Sequence, residues 1–189
     1  MHKLNKAKRA IAMTAATLAA ALGATLTASG SASATIGCTG GDGCSHQTTI
    51  YMDGKAYSPT HEWWGPFTVL KMQSDGNLVL YCQGKGSSKA VWATGTAYHR
   101  AYPYVLFEGG AGGGSMVVYD SILINTPNGS YFQNQAEWSS LTKPPTHSTS
   151  GTRAIVQADG NFVIYDANGN ALWHSNTYHA CPGTEGYWG

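Results

Sequence analysis

The chain has 189 residues, 11 basic and 10 acidic, for a formal net charge of +1. Four of the basic residues (Lys3, Lys6, Lys8 and Arg9) lie at the N-terminus, so residues 35–189 carry seven against ten, a net near −3. That balance leaves no basic patch and argues against nucleic acid or an anionic membrane surface as partner. The length beyond residue 34 suits one domain with a full core, and low charge with 24 glycines, 11 tyrosines and six tryptophans predicts an all-β domain rich in turns.

Residues 1–34 read as a secretory signal peptide. The basic start precedes a weakly apolar, Ala-rich run from Ala10 to Leu26, and Ala32-Ser33-Ala34 offers an A-x-A cleavage site near Ala34. The run is short and dominated by Ala and Thr, so a membrane span is not expected. The expected product is secreted, beginning at Thr35, with a Gly-rich lead-in over 35–46. Four cysteines in an exported chain favour disulfides, and three pairings exist. Cys38 with Cys44 would close a small Gly-rich loop and leave Cys82 to meet Cys181; the sequence leaves the choice open. Zinc held by Cys44 and His46, or by His179 and Cys181, fits no strong spacing template. No metal or cofactor is expected.

In chain order, Gln47–Met52 alternates and ends at Asp53-Gly54, which predicts a first strand and a hairpin. Ser58 to Pro66 reads as a loop or edge region carrying Trp63-Trp64, a pair suited to a core or to stacking on a sugar. The next stretch, Gln73-Ser74-Asp75-Gly76-Asn77-Leu78-Val79-Leu80-Tyr81, returns later as Gln157-Ala158-Asp159-Gly160-Asn161-Phe162-Val163-Ile164-Tyr165. Both are Q-x-D-G-N-x-V-x-Y. The Asp-Gly step predicts a tight turn between Val69–Gln73 and Asn77–Tyr81. Alternation then places Asn77, Val79 and Tyr81 on one face and Leu78 and Leu80 on the other. One face therefore offers two amides, a carboxylate and a phenol around a valine. Such a row suits a ligand with adjacent hydroxyls and a C–H patch, which is the description of a sugar ring.

Each copy is followed by the same ending. Ala90-Val91-Trp92-Ala93-Thr94-Gly95-Thr96 matches Ala171-Leu172-Trp173-His174-Ser175-Asn176-Thr177, so the chain is a repeat. Between them lies a degenerate middle copy. Tyr104–Glu108 and Ser115–Tyr119 match the two hairpin arms, and a glycine-rich run over 109–114 replaces the turn. Depending on register, the glutamine position holds Glu108 or Ala111; the aspartate is lost, and Ser115 stands for the asparagine. An insertion over 121–135 delays the closing tryptophan to Trp138. A carboxylate makes charge-assisted bonds to hydroxyls, so the middle copy is not expected to bind the same ligand.

The Q-x-D-x-N-x-V-x-Y motif resembles the mannose-binding motif of the bulb-type (monocot mannose-binding) lectins, also found in bacterial lectin-like proteins. The resemblance implies a type II β-prism of three four-stranded subdomains with pseudo-threefold symmetry, with 47–189 as a single lectin domain of three repeats. It assigns sugar hydroxyls to Gln73, Asp75, Asn77 and Tyr81 with Val79 against the ring, and likewise to Gln157, Asp159, Asn161 and Tyr165 with Val163. It implies mannose-containing glycans as partners. In that family the C-terminal strand often completes a neighbouring sheet or is exchanged in a dimer, so a homodimer is among the expected assemblies. Glycoside hydrolysis would need paired carboxylates, one of them desolvated. Each motif carries a single Asp at a turn expected to be exposed, so catalysis is not expected. The alternative is a lectin-like antibacterial toxin or a secreted protein-interaction domain on the same prism.

Overall fold

The structure is a computed structural model that describes residues 46–83, 88–98, 101–110, 113–145 and 149–187. The expected signal peptide and its cleavage site, most of the lead-in, and Cys38 and Cys44 lie outside the described residues.

Alternating sequence becomes antiparallel sheet throughout. The first sheet runs in chain order: β3 (Glu62–Trp64), β4 (Thr68–Met72), β5 (Leu78–Cys82) and β6 (Ala90–Ala93). The second is built on β7 (Pro103–Phe107), β8 (Met116–Thr126) and β9 (Gly129–Ser139), and the third on β10 (Arg153–Val156), β11 (Phe162–Tyr165) and β12 (Ala171–His174). These last two are completed from the beginning of the domain. The strand β1 (Thr48–Tyr51) pairs with β10, and β2 (Lys55–Tyr57) pairs with β7.

That pairing corrects one expectation. Asp53-Gly54 does not close a hairpin, because β1 and β2 belong to different sheets. Gly54 takes φ +80° and donates its N–H to Phe107, while Met52 donates to Thr152. The turn residues satisfy the local backbone, but two unpaired sheet edges compete for the flanking strands. Pairing with them buries Ile50 and Met52 in the common core.

Each sheet gives the same four positions to the interior. Leu70, Met72, Leu78 and Leu80 correspond to Val105, Phe107, Met116 and Val118, and to Ala154, Val156, Phe162 and Ile164. No sheet could bury its apolar face alone; three facing one axis can. The closing strands add one tryptophan each. Trp92, Trp138 and Trp173 pair with Leu80, Val118 and Ile164 and meet edge-on, with centroids 5.4–5.7 Å apart. This is a β-prism of three four-stranded sheets.

The remaining tryptophans divide. Trp63 is buried against Tyr57 and Phe107, whereas Trp64 is half-buried on the edge strand β3. The insertion over 121–135 simply prolongs β8 and β9 into a two-stranded ribbon, paired from Asp120↔Gln135 to Thr126↔Gly129. A disulfide joins Cys82 to Cys181 and ties the C-terminal tail to the first sheet. That bond also removes Cys181 as a zinc ligand.

Candidate functional site

The two intact motifs fold into the same object. At the turn of the β4–β5 hairpin, Gln73 donates its N–H to Asn77 and Gly76 to Gln73, with Gly76 at φ +89°. Between β10 and β11, Gln157, Asn161 and Gly160 repeat both bonds, with Gly160 at φ +88°. Glycine accepts this left-handed geometry without the Cβ clash of other residues. The aspartates then brace the turn: Asp75 accepts the N–H of Asn77 at 3.0 Å, and Asp159 that of Asn161 at 2.8 Å.

The side chains are wired identically. Gln73 Nε2 donates to the Tyr81 hydroxyl oxygen at 2.8 Å, and Gln157 Nε2 to that of Tyr165 at 2.7 Å. Each phenol thereby accepts from inside and keeps its own proton to give outward. The asparagine carbonyls face the opposite way. Asn77 Oδ1 accepts from the Thr94 hydroxyl and the backbone of Gly95 and Thr96; Asn161 Oδ1 accepts from the Ser175 hydroxyl and the backbone of Thr177. With the carbonyl used internally, each asparagine has its NH₂ group to offer a ligand. Val79 and Val163 are only 2% and 3% exposed, so they serve as filler beneath the polar row more than as an open platform.

Sequence reasoning missed the residues that lock this arrangement. Thr96 and Thr177 donate to the carbonyls of Gly76 and Gly160 at 2.7 and 2.8 Å, and each also bonds the hydroxyl two residues before it. The signal was present in the shared Trp-x-[Thr/Ser]-x-Thr ending, which was legible as a repeat but not as a brace. The two units even share unusual backbone there: Gly95 and Asn176, then Tyr98 and His179, all have positive φ.

The sites nevertheless differ in burial. Asp75 is exposed, but Asp159 is only 3% exposed, against the expectation of an exposed turn in both. The tail is responsible. His179 donates its N–H to the carbonyl of Asp159, and Thr184 lies against Gly160. The third-sheet site is consequently a depression of about 330 Å³, lined by the five motif residues together with Ala171, His174 and Tyr178. Asp75 and Asp159 lie in the turns of two different sheets.

In the middle unit the register resolves the ambiguity in favour of Glu108. Its N–H donates to Ser115 as Gln73 does to Asn77, and it takes the glutamine position. Its carboxylate accepts from the Ser115 hydroxyl and, at 3.2 Å, from the Tyr119 hydroxyl. Burial raises the Tyr119 phenol above its ordinary pKa, and the Glu108 charge and hydrogen bond raise it further. Tyr104 stacks on it at 5.3 Å.

Comparison with known proteins bears on the fold. The structure superposes on monomeric monocot mannose-binding lectins from Gastrodia elata with a TM-score of 0.50 and 27% identity, covering 71% of this chain and 99% of that one. The fold is that of a bulb-type lectin domain. A lectin from Marasmius oreades shares the fold, with a TM-score of 0.50 and 21% identity over 70% of this chain and 92% of that one. In sequence, the B-type lectin plumieribetin of Scorpaena plumieri is 36% identical over 66 residues. That match spans 31% of this chain and 57% of that protein, so the chain aligns with little more than half of its length. No protein-family model matches the chain. The Gastrodia and Scorpaena proteins that this chain resembles are lectins by name.

Proposed function

We propose that this bulb-type lectin domain binds mannose-containing glycans without catalysis, through two sites. One is Gln73, Asp75, Asn77, Val79 and Tyr81; the other is Gln157, Asp159, Asn161, Val163 and Tyr165. The observation that carries the reading is the duplicated wiring. In both units a phenol proton, an amide NH₂ and a carboxylate are set in one row by partners that fix their orientation. Vicinal hydroxyls need alternating donors and acceptors at that spacing, and pre-set groups lose little entropy on binding. The mannose specificity in the name of the Gastrodia lectins supports the choice of sugar.

Each site is shallow. Each hydrogen bond at such a surface contributes about 0.5–1.5 kcal/mol net; about four of them per sugar sum to roughly 4 kcal/mol, a Kd on the order of millimolar for a monosaccharide. Two sites on one chain raise the affinity for a branched or surface-bound glycan by avidity. Export of the chain from residue 35 onward belongs to the same proposal, resting on the N-terminal sequence alone.

The test is retention of the purified chain on immobilised mannose with elution by free mannose, beside a galactose control. Retention on mannose alone supports the reading, and the pair Asp75→Asn and Asp159→Asn together must abolish it. Unchanged retention of that double variant would sink the site assignment.

A further inference from the structure

The two intact motifs share every residue of Q-x-D-G-N-x-V-x-Y and differ only at Ser74/Ala158 and at the core-facing pairs Leu78/Phe162 and Leu80/Ile164, so what distinguishes the two rows of polar side chains comes from their neighbours. Two neighbours differ. On the closing strand, Val79 faces Ala93 while Val163 faces His174. Directly opposed residues share a face of the sheet, so this position lies beside the ligand row in both units. Four residues further on, Ala97 of the first unit is replaced by Tyr178. The matched positive φ values at Tyr98 and His179 support that alignment of the two segments.

Both replacements border the depression. Its volume of about 330 Å³ lies at the lower end of small-molecule sites, which run from about 300 to 1,000 Å³. His174 brings an imidazole whose buried Nδ1 has no hydrogen-bond partner in the protein. Tyr178 brings an aromatic ring that is 44% exposed and rests on the ring of His179 at 3.8 Å. The ring is not loose. The tail that carries it is anchored by the bond from His179 to Asp159, by Thr184 against Gly160, and by the disulfide from Cys181 to Cys82. A large apolar ring held beside a polar row is a stacking surface at no further ordering cost.

The geometry points to an extended site in the third sheet, one that takes at least two linked sugar rings. The terminal mannose sits on Gln157, Asp159, Asn161 and Tyr165, and the next ring of the glycan lies against Tyr178 with His174 between them. The first-sheet site, with Ala93 and Ala97 in those places, takes the terminal residue alone. This inference rests on the lectin reading above and adds a division of labour within it: one site recognises a sugar, the other a linkage.

The experiment is a calorimetric titration of the full chain with methyl α-mannoside and with a panel of α-linked mannobiosides. Asp75→Asn leaves only the third-sheet site, and Asp159→Asn only the first. In Asp75→Asn the best mannobioside binds about tenfold tighter than the monoside, the gain expected of one stacked ring. In Asp159→Asn the two ligands agree within about twofold. Adding Tyr178→Ala to Asp75→Asn brings the ratio of affinities to about one, whereas Tyr178→Phe keeps it. Grafting Ala93→His with Ala97→Tyr onto Asp159→Asn raises the ratio at the first site. A ratio near one in Asp75→Asn overturns the extended site while leaving the lectin reading intact. Absence of binding by either ligand to the unaltered chain overturns both.

Discussion

Tyr119 gives its hydroxyl proton to Glu108 across 3.2 Å, whereas in the two intact units the tyrosine oxygen receives a proton from a glutamine. A single change of amide to carboxylate reverses the direction of the bond. The intact phenols keep a proton to donate outward, whereas the Tyr119 proton is already engaged inside the protein. The middle unit thus differs from the others in hydrogen-bond polarity as well as in its missing aspartate.

Glu108→Gln should restore the outward donor and move the Tyr119 titration. Burial first, then the Glu108 charge and hydrogen bond, hold the folded pKa above the ordinary 10.0. A raised folded value stabilises the fold below pH 10 and is lost as pH climbs through that folded value. Removing the carboxylate narrows the gap, so Tyr119 ionises at lower pH in the variant. Phenolate absorbance against pH reads this directly, and an unmoved titration would refute the assigned bond.

Asn77 has two separable roles, and substitution should divide them. Asn77→Ala strands the hydroxyl of Thr94 and the amides of Gly95 and Thr96, and costs about 1–3 kcal/mol in chemical denaturation. Asn77→Asp keeps the oxygen that accepts those bonds but loses the NH₂ group. It should unfold close to the parent while losing sugar binding at the first site. Equal binding by Asn77→Asp and the parent would mean that the amide does not touch ligand.

Cutting the Cys82–Cys181 bond should cost about 4–5 kcal/mol in the chain-entropy account, because it closes a loop of 99 residues. The functional consequence is uneven. The tail covers Asp159 and carries Tyr178, and it touches neither Asp75 nor Asn77 in any bond described. In Cys82→Ser with Cys181→Ser, followed residue by residue by NMR during mannose titration, the third-sheet site should weaken more than the first. Equal weakening would show that the tail does not shape that site.

Two glycines of positive φ should respond very differently to alanine. A Cβ on Gly114 would lie 2.4 Å from the backbone nitrogen of Gly151 and 2.5 Å from its oxygen, where the second and third units cross. A Cβ on Gly54 would meet nothing within 4 Å. Gly54→Ala carries only the left-handed strain, about 1–2 kcal/mol. Gly114→Ala adds a backbone clash and should cost about 3 kcal/mol or more. Similar denaturation midpoints for the two would contradict the close crossing.

Much of this domain is written in short range. Alternation alone assigns Leu78 and Leu80 to the core and Asn77 and Tyr81 to the opposite, polar face, because the pleat of a strand leaves a side chain only two directions. Asp-Gly at 75–76 and 159–160 specifies the turn because glycine tolerates the φ that the turn needs. The repeated endings at Trp92 and Trp173, and the displaced Trp138, likewise announce three units around one core. These are nearest-neighbour facts, and a linear reading reaches them.

What the sequence could not decide depends on which distant surfaces meet. Asp53-Gly54 carries the same turn signal as Asp75-Gly76, yet β1 and β2 part to complete two different sheets, because unpaired edges far along the chain compete for them. The motifs at 73–81 and 157–165 carry the same Q-x-D-G-N-x-V-x-Y residues, yet Asp75 is open and Asp159 buried. The difference is made by a tail fastened by a disulfide and by the bond from His179 to Asp159. Local residues determine the conformation of each motif; only the tertiary structure determines what stands beside it, since burial is a property of neighbours in space and not of neighbours in the chain.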